Sequence, residues 1–142
     1  MLQDKKIEGA LAKIRAGGGR ITGVRKALVE ILFAARSPLA PSDILKKLRR
    51  KKLSPNRTTI YRELIFLVER GIAQKVQFER GSYFEISSTH HHHLICRKCK
   101  SIEEVVLGPH LENQEHNIYK SRGFKVTSHS LEFYGICKNC QV

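Results

Sequence analysis

Two pieces of chemistry are written into residues 90–140. The stretch HHHHLICRKC (residues 90–99) sets four consecutive histidines, His90, His91, His92 and His93, just ahead of the pair Cys96 and Cys99. A second Cys-x-x-Cys pair, Cys137 and Cys140, follows near the C-terminus. Four thiolates close a tetrahedral Zn2+ shell with no open position, which makes a structural site rather than a catalytic one. The N-terminal MLQDKKIEGALAKI mixes charges with apolar residues and lacks the apolar block of a secretory leader, so a cytoplasmic protein is expected. In that compartment paired cysteines read as zinc ligands rather than a disulfide; reduced thiols or a redox pair are the competing readings. Lys98, Lys100 and Lys138 would offset part of the cluster's negative charge.

The histidines allow a second chemistry. Side chains alternate between the two faces of a strand. His91 and His93 then share one face, where Glu85 and Glu104 are candidate co-ligands. His90 and His92 share the other, with Glu112 and His129. Four histidines in a row would thus serve two sites, and mixed imidazole and carboxylate shells suit Zn2+, Fe2+ or Mn2+. The competing reading is an exposed polar strand edge.

The elements that must carry these groups fall into two kinds. Apolar residues recur at helical spacing in KKIEGALAKIRAGG, in TGVRKALVEILFAA with Thr22 as N-cap, in PSDILKKLRRKK with Ser42 as N-cap, and in SPNRTTIYRELIFLVERG starting at Ser54 or Asn56. The period then changes: IAQKVQFERGSYFEIS alternates as two strands with a turn near Arg80 and Gly81. Helices followed by a hairpin give the order of a winged helix. Its helix–turn–helix would be residues 42–52 followed by a recognition helix over 56–70. With Ile60, Leu64 and Leu67 facing inward, that helix would present Arg57, Thr58, Tyr61 and Arg62 to the major groove. Lys51 and Lys52 would meet phosphates regardless of sequence. Beyond the histidines, short strands are expected at HLIC and IEEVV, a helix over 108–123 closed by Gly123, and one long strand over 124–137. The fold class is therefore α+β. A winged-helix DNA-binding domain (residues 1–85) and a hinge (86–89) precede a small α/β metal-binding domain (90–142) that needs its metal or a partner chain to be stable.

Charge separates the two halves. The formal net charge is +13. Residues 1–85 hold 19 lysines and arginines against 8 aspartates and glutamates, whereas residues 86–142 hold 7 against 5. The positive field belongs to the helical half and favours a polyanion such as double-stranded DNA. A basic structural zinc protein that binds nucleic acid without sensing metal is the alternative, but it would place the charge in the metal half. No nucleophile elbow, glycine-rich phosphate loop or His-Glu-x-x-His motif is present, so neither an enzyme nor a small-molecule substrate is expected. No apolar run reaches 18 residues, so no membrane span is expected.

Together, HHHHLICRKC, SHSLEFYGICKNC and RTTIYREL resemble the ferric uptake regulator family of bacterial metalloregulators. The similarity runs from ITGVRKALVEIL to the C-terminus. The resemblance implies a homodimeric transcription factor whose winged helix binds a palindromic, A·T-rich operator. It also implies a dimerising C-terminal domain and a regulatory metal at the hinge. The expected function is metal-dependent regulation, as a repressor of metal-uptake genes. On this resemblance Glu85, His91, His93 and Glu104 match the hinge ligands. His90 or His92, Glu112 and His129 match a second site in the dimerisation domain. Tyr61 matches a base-contacting tyrosine, and Arg25 an arginine on the DNA-facing side of the second helix. The chain departs from the pattern at Ser37, where a histidine commonly precedes the proline. It also has Glu85 where the zinc-sensing branch often has cysteine, and Glu104 where the peroxide-sensing branch has aspartate.

Overall fold

The apolar stripes of the N-terminal half fold into four helices: α1 (Leu2–Ala16), α2 (Gly23–Ala34), α3 (Pro41–Arg50) and α4 (Arg57–Glu69). The computed structural model describes residues 1–87 and 89–141. Two helix starts follow from their caps. The Thr22 side chain accepts from the Arg25 amide at 3.1 Å, and the Asn56 side chain accepts from the Thr59 amide at 2.8 Å. Each supplies an acceptor to an amide with no partner inside its helix. The start of α3 differs from expectation. Ser42 lies inside the helix; Ala40 is the N-cap, without a side-chain bond, and Pro41 opens the first turn. Proline's fixed φ suits that position, where its missing N–H costs nothing.

One glycine is required by a close approach. A Cβ on Gly19 would stand 2.8 Å from Ile14 Cγ2 and 3.1 Å from the Phe66 ring, so the chain leaving α1 can pass α4 only with no side chain there. Strands β1 (Gln74–Phe78) and β2 (Gly81–Glu85) form the antiparallel wing, with Lys75 opposite Phe84 and Phe78 opposite Gly81. Leu39 and Phe84 exchange both backbone hydrogen bonds, at 2.9 and 2.8 Å, which ties the segment before α3 to the wing.

The helices enclose one hydrophobic core that includes Leu11, Ile14, Leu28, Leu32, Ile44, Leu48, Ile60, Leu64, Leu67 and Phe84. Leu64 sits on α4 and is fully buried. We expect Leu64→Ala to lower stability by about 2–5 kcal/mol, the usual cost of such a cavity, read from the midpoint of urea unfolding. An unchanged midpoint would place Leu64 outside the core.

The chain divides into two compact units, Met1–Ser88 and Thr89–Val142. The hinge expected over 86–89 includes Ser88, which, like Val142, lies outside the described residues. The second unit contains β3 (His92–Cys96), β4 (Ile102–Val105), α5 (His110–Arg122), β5 (Glu132–Gly135) and a 3-10 turn at Lys138–Cys140. Its sheet has the order β4-β3-β5, with β3 antiparallel to β4 and parallel to β5. Gly123 ends α5 at φ 65°, the left-handed stop expected of it. The long strand expected over 124–137 is in fact the four residues of β5. A strand is regular only where a neighbour completes its ladder, and β3 pairs with residues 132–135 alone. Among the described residues of this unit, Ile95 and Cys96 are the only buried hydrophobic ones, while Leu94, Val106, Leu107, Ile118, Tyr119, Phe124, Phe133 and Ile136 are exposed. A unit so poor in apolar burial needs another source of stability.

Candidate metal centres and nucleic-acid interface

Parallel pairing of β3 with β5 brings the two cysteine pairs together. Cys96 ends β3 opposite Gly135, and Cys137 follows two residues later. Each Cys-x-x-Cys closes a tight turn: the Lys100 amide donates to the Cys96 carbonyl, and the Cys140 amide to the Cys137 carbonyl, both at 2.9 Å. Lys100 adopts φ 66° to turn the first loop. All four sulfurs lie within 4.8 Å of one another, with Cys99 and Cys137 at 3.7 Å. A tetrahedron with zinc–sulfur bonds of ~2.3 Å has edges of roughly 3.8 Å. The donor set therefore fits Zn2+ in type, number and spacing.

The local electrostatics point the same way. Amides of Cys137 and Cys99 donate to the Cys96 sulfur at 3.3 and 3.5 Å. These bonds favour the thiolate and bring the Cys96 thiol down to about 6. Cys140 is pushed up to about 12, first by its hydrogen bond with the Cys137 thiol. Four thiols this close cannot all ionise without a cation, and a divalent metal would replace the shared protons.

The histidine run straddles the start of β3, with His92 and His93 on the strand and His90 and His91 just ahead of it, and its rings form two groups. In one, His91 Nε2 lies 3.2 Å from His93 Nε2 and 3.7 Å from a Glu104 oxygen; His93 stands opposite Glu104 in the β3–β4 ladder. His91 Nδ1 is 2.9 Å from the Thr89 carbonyl oxygen, which can only accept, so Nδ1 is the donor in this contact. Glu85, the first unit's residue in this expected set, ends β2 and is buried. In the other, ligand atoms of His90, His92 and His129 gather within 4.8 Å, with His90 Nε2 and His129 Nε2 at 3.0 Å. Glu112, expected beside them, is not in this group. The carboxylate against His129 belongs to Glu115, at 2.5 Å from Nδ1. The two glutamates are one helical turn apart on α5, so they share a face and differ in height along it.

Burial holds the His92 imidazole below its ordinary value of 6.5, and the rings of His90 and His129 add to the effect. The folded chain thus takes up this proton less readily than the unfolded chain does. Stability is complete above the unfolded value of 6.5 and is lost as pH falls from there through the lowered folded value. Metal-free protein is expected to melt progressively lower as pH drops below the ordinary imidazole value of 6.5, and His92→Gln to flatten that slope. Equal slopes in the two proteins would remove His92 from the linkage.

In the first unit, α4 exposes Arg57, Thr58, Tyr61 and Arg62. They line a shallow groove with Ile65, Phe66 and Glu69. Lys51 reaches Glu30 at 3.1 Å, and Lys52 is exposed at φ 60° just beyond α3. Arg25, expected to face DNA, is instead committed internally, with 12% of its side chain exposed. Its guanidinium donates to both Glu63 oxygens at 2.7 and 3.0 Å and to the Arg20 carbonyl at 2.6 Å. It also lies 3.7 Å from the Phe66 ring centroid, while Arg70 lies 3.5 Å from that ring. The arginine therefore orients α4 against α2 through a bidentate pair and a cation–π stack. Glu63 and Phe66 carried no sequence signal for this, because both lie far from Arg25 in the chain.

A winged helix with an exposed basic recognition helix, followed by a small mixed unit that gathers four thiolates and two histidine pairs, defines a metal-responsive DNA-binding regulator. Residues 16–134 match the ferric uptake regulator family, and the chain belongs to that family of transcription regulators. It is 31% identical over 139 residues to the peroxide-responsive repressor PerR of Staphylococcus epidermidis, with 97% of this chain and 92% of the relative covered. It is 29% identical to the ferric uptake regulation protein of Neisseria meningitidis serogroup B, covering 92% of each. The solved structure of the ferric uptake regulator Fur of Helicobacter pylori, described as revealing three functional metal binding sites, matches with a TM-score of 0.81 at 27% identity. That match covers 99% of this chain and 94% of the other. Among the described residues, no helix is long and apolar enough to cross a membrane.

Proposed function

We propose that the chain is a homodimeric, metal-dependent repressor of metal-uptake genes that binds a palindromic, A·T-rich operator. The observation that carries this reading is the facing of His91 and His93 at 3.2 Å, with Glu104 alongside, immediately after a winged helix. Zn2+ at Cys96, Cys99, Cys137 and Cys140 is the structural metal. His91, His93 and Glu104 hold the regulatory ion: Fe2+, Zn2+ or Mn2+. His90, His92 and His129 form a second site. The exposed apolar residues of the second unit support self-association. Arg57, Thr58, Tyr61 and Arg62 enter the major groove, and Lys51 and Lys52 meet phosphates.

The metal acts by preference. A ligand shifts an equilibrium only as far as it binds one state better than the other. Holding the two DNA-binding heads at the half-site spacing tenfold more often needs about 1.4 kcal/mol of such preference. The test is titration of Fe2+, Zn2+ and Mn2+ into zinc-loaded protein, with binding to a duplex selected from a random pool read by anisotropy. One of the three is expected to tighten binding at least ~10-fold, and the bound duplex to tighten that metal by the same factor. Equal DNA affinity with and without every metal would instead support a basic structural zinc protein without sensing.

A further inference from the structure

Tyr61 is gripped from the wing by two residues that the family resemblance does not assign. Lys75 on β1 donates from Nζ to the Tyr61 hydroxyl at 2.9 Å, and Nζ lies 5.5 Å from the ring centroid. Phe84 on β2 meets the same ring edge to face, with centroids 6.1 Å apart at 85°. Lys75 and Phe84 are directly opposite in the β1–β2 ladder, so both project from one face of the wing. Phe84 is itself fixed: it is fully buried and bonded through its backbone to Leu39. Tyr61 nevertheless remains 42% exposed. An exposed aromatic residue on a recognition helix would ordinarily sample several rotamers. Here one neighbour sets the ring plane and the other sets the hydroxyl.

The hydrogen-bond roles follow from the groups. An ammonium has donors only, so the phenol oxygen accepts from Lys75 and its own O–H must point to a further acceptor. Accepting a charge-assisted bond polarises that O–H and strengthens it as a donor. The ammonium keeps two N–H groups. The pair therefore offers two donors 2.9 Å apart beside the groove of Arg57, Thr58 and Arg62, a spacing that two oxygens of one phosphate can receive.

We propose that Lys75 is a positioning residue for Tyr61, and that the Lys75 ammonium and the Tyr61 hydroxyl together clamp one DNA phosphate. The inference rests on the DNA-binding reading above and divides Tyr61 into two parts. Its oxygen anchors the helix on the backbone, and its ring, held by Phe84, faces the base edges. Phosphate contacts set register without reading sequence, while contacts to bases supply preference.

The test compares wild type, Lys75→Met, Lys75→Arg, Tyr61→Phe, Tyr61→Ala and the Lys75→Met/Tyr61→Phe double variant. Each is measured on the selected duplex and on random duplex over a range of salt, with melting curves to show that it folds. Lys75→Met and Tyr61→Phe should each weaken both duplexes by roughly 3- to 10-fold with preference retained. Lys75→Met should also lower the salt slope by about 0.9, one contact's worth. The double variant should be no weaker than about threefold below the worse single one, because both changes break one clamp. Lys75→Arg should restore most of the affinity, and Tyr61→Ala alone should lose preference. Independent, multiplying losses in the double variant would overturn the clamp, as would a Lys75→Met protein with unchanged affinity and slope. Wild type that binds neither duplex under any metal would overturn the DNA-binding reading and this inference with it. Wild type that binds, with uncoupled variants, would overturn the inference alone.

Discussion

Cys96→Ser and Cys140→Ser proteins are expected to lose their zinc and, with it, the fold of the second unit. The reason is the imbalance described above: among the described residues that unit buries only Ile95 and Cys96 as hydrophobic residues, while both cysteine loops and the end of β5 converge on the four sulfurs. In zinc-finger peptides of comparable dependence, structural zinc contributes roughly 10–16 kcal/mol of apparent binding energy at neutral pH. That loss is comparable with the ~5–15 kcal/mol margin of a whole domain, and a unit of roughly 50 residues has a smaller margin of its own. The measurements are zinc content after dialysis against mild chelator, the melting profile and molecular mass in solution. Wild type should retain one zinc per cysteine cluster. Each variant should lose the second unit's melting transition and run as monomer or aggregate. A serine variant that melts and self-associates like wild type would refute a structural role for the metal.

The second large effect is expected at the histidines. His93→Ala should keep the cysteine zinc, the fold and self-association, and lose metal-stimulated DNA binding. His93 lies 3.2 Å from His91 and opposite Glu104 in the ladder, so its removal takes an imidazole from the proposed regulatory set without touching a sulfur. Loss of one ligand from such a set costs at least ~10- to 100-fold in metal affinity, the range known for outer partners of ligands. His90→Ala should be milder for this response, because its ring meets His129 and His92 in the other group. The deciding comparison is DNA affinity of the His93→Ala protein with and without added metal. Stimulation equal to wild type would place the sensor elsewhere.

What the sequence disclosed follows the range of the forces involved. The sequence placed the four histidines beside one another, but only His92 and His93 fall within β3. The caps at Thr22 and Asn56 were legible because capping is a local rule. At α3, two helix-starting signals lay side by side, and Pro41 overrode Ser42. The choice between Glu112 and Glu115 was not legible, since both face the same way on α5 and only the packed height of the helix decides which reaches His129. Strand β5 came out shorter than its composition implied, because ladder partners lie elsewhere in the chain. Arg25 shows the same limit: its charge was visible, but its engagement by Glu63, 38 residues away, was not.

The two-way bond between Leu39 and Phe84 has a consequence for how the first unit opens. It links the segment leading into α3 with the second strand of the wing, and Phe84 in turn touches Tyr61 on α4. Peeling the wing away exposes two amides and two carbonyls at once and uncovers a fully buried ring. Wing and helix–turn–helix therefore open as one cooperative block rather than as separate flaps. In native-state hydrogen exchange, the amides of Leu39 and Phe84 should share one opening free energy and one dependence on denaturant. The surface proposed to read DNA should then be present in full or absent, with no populated half-formed version.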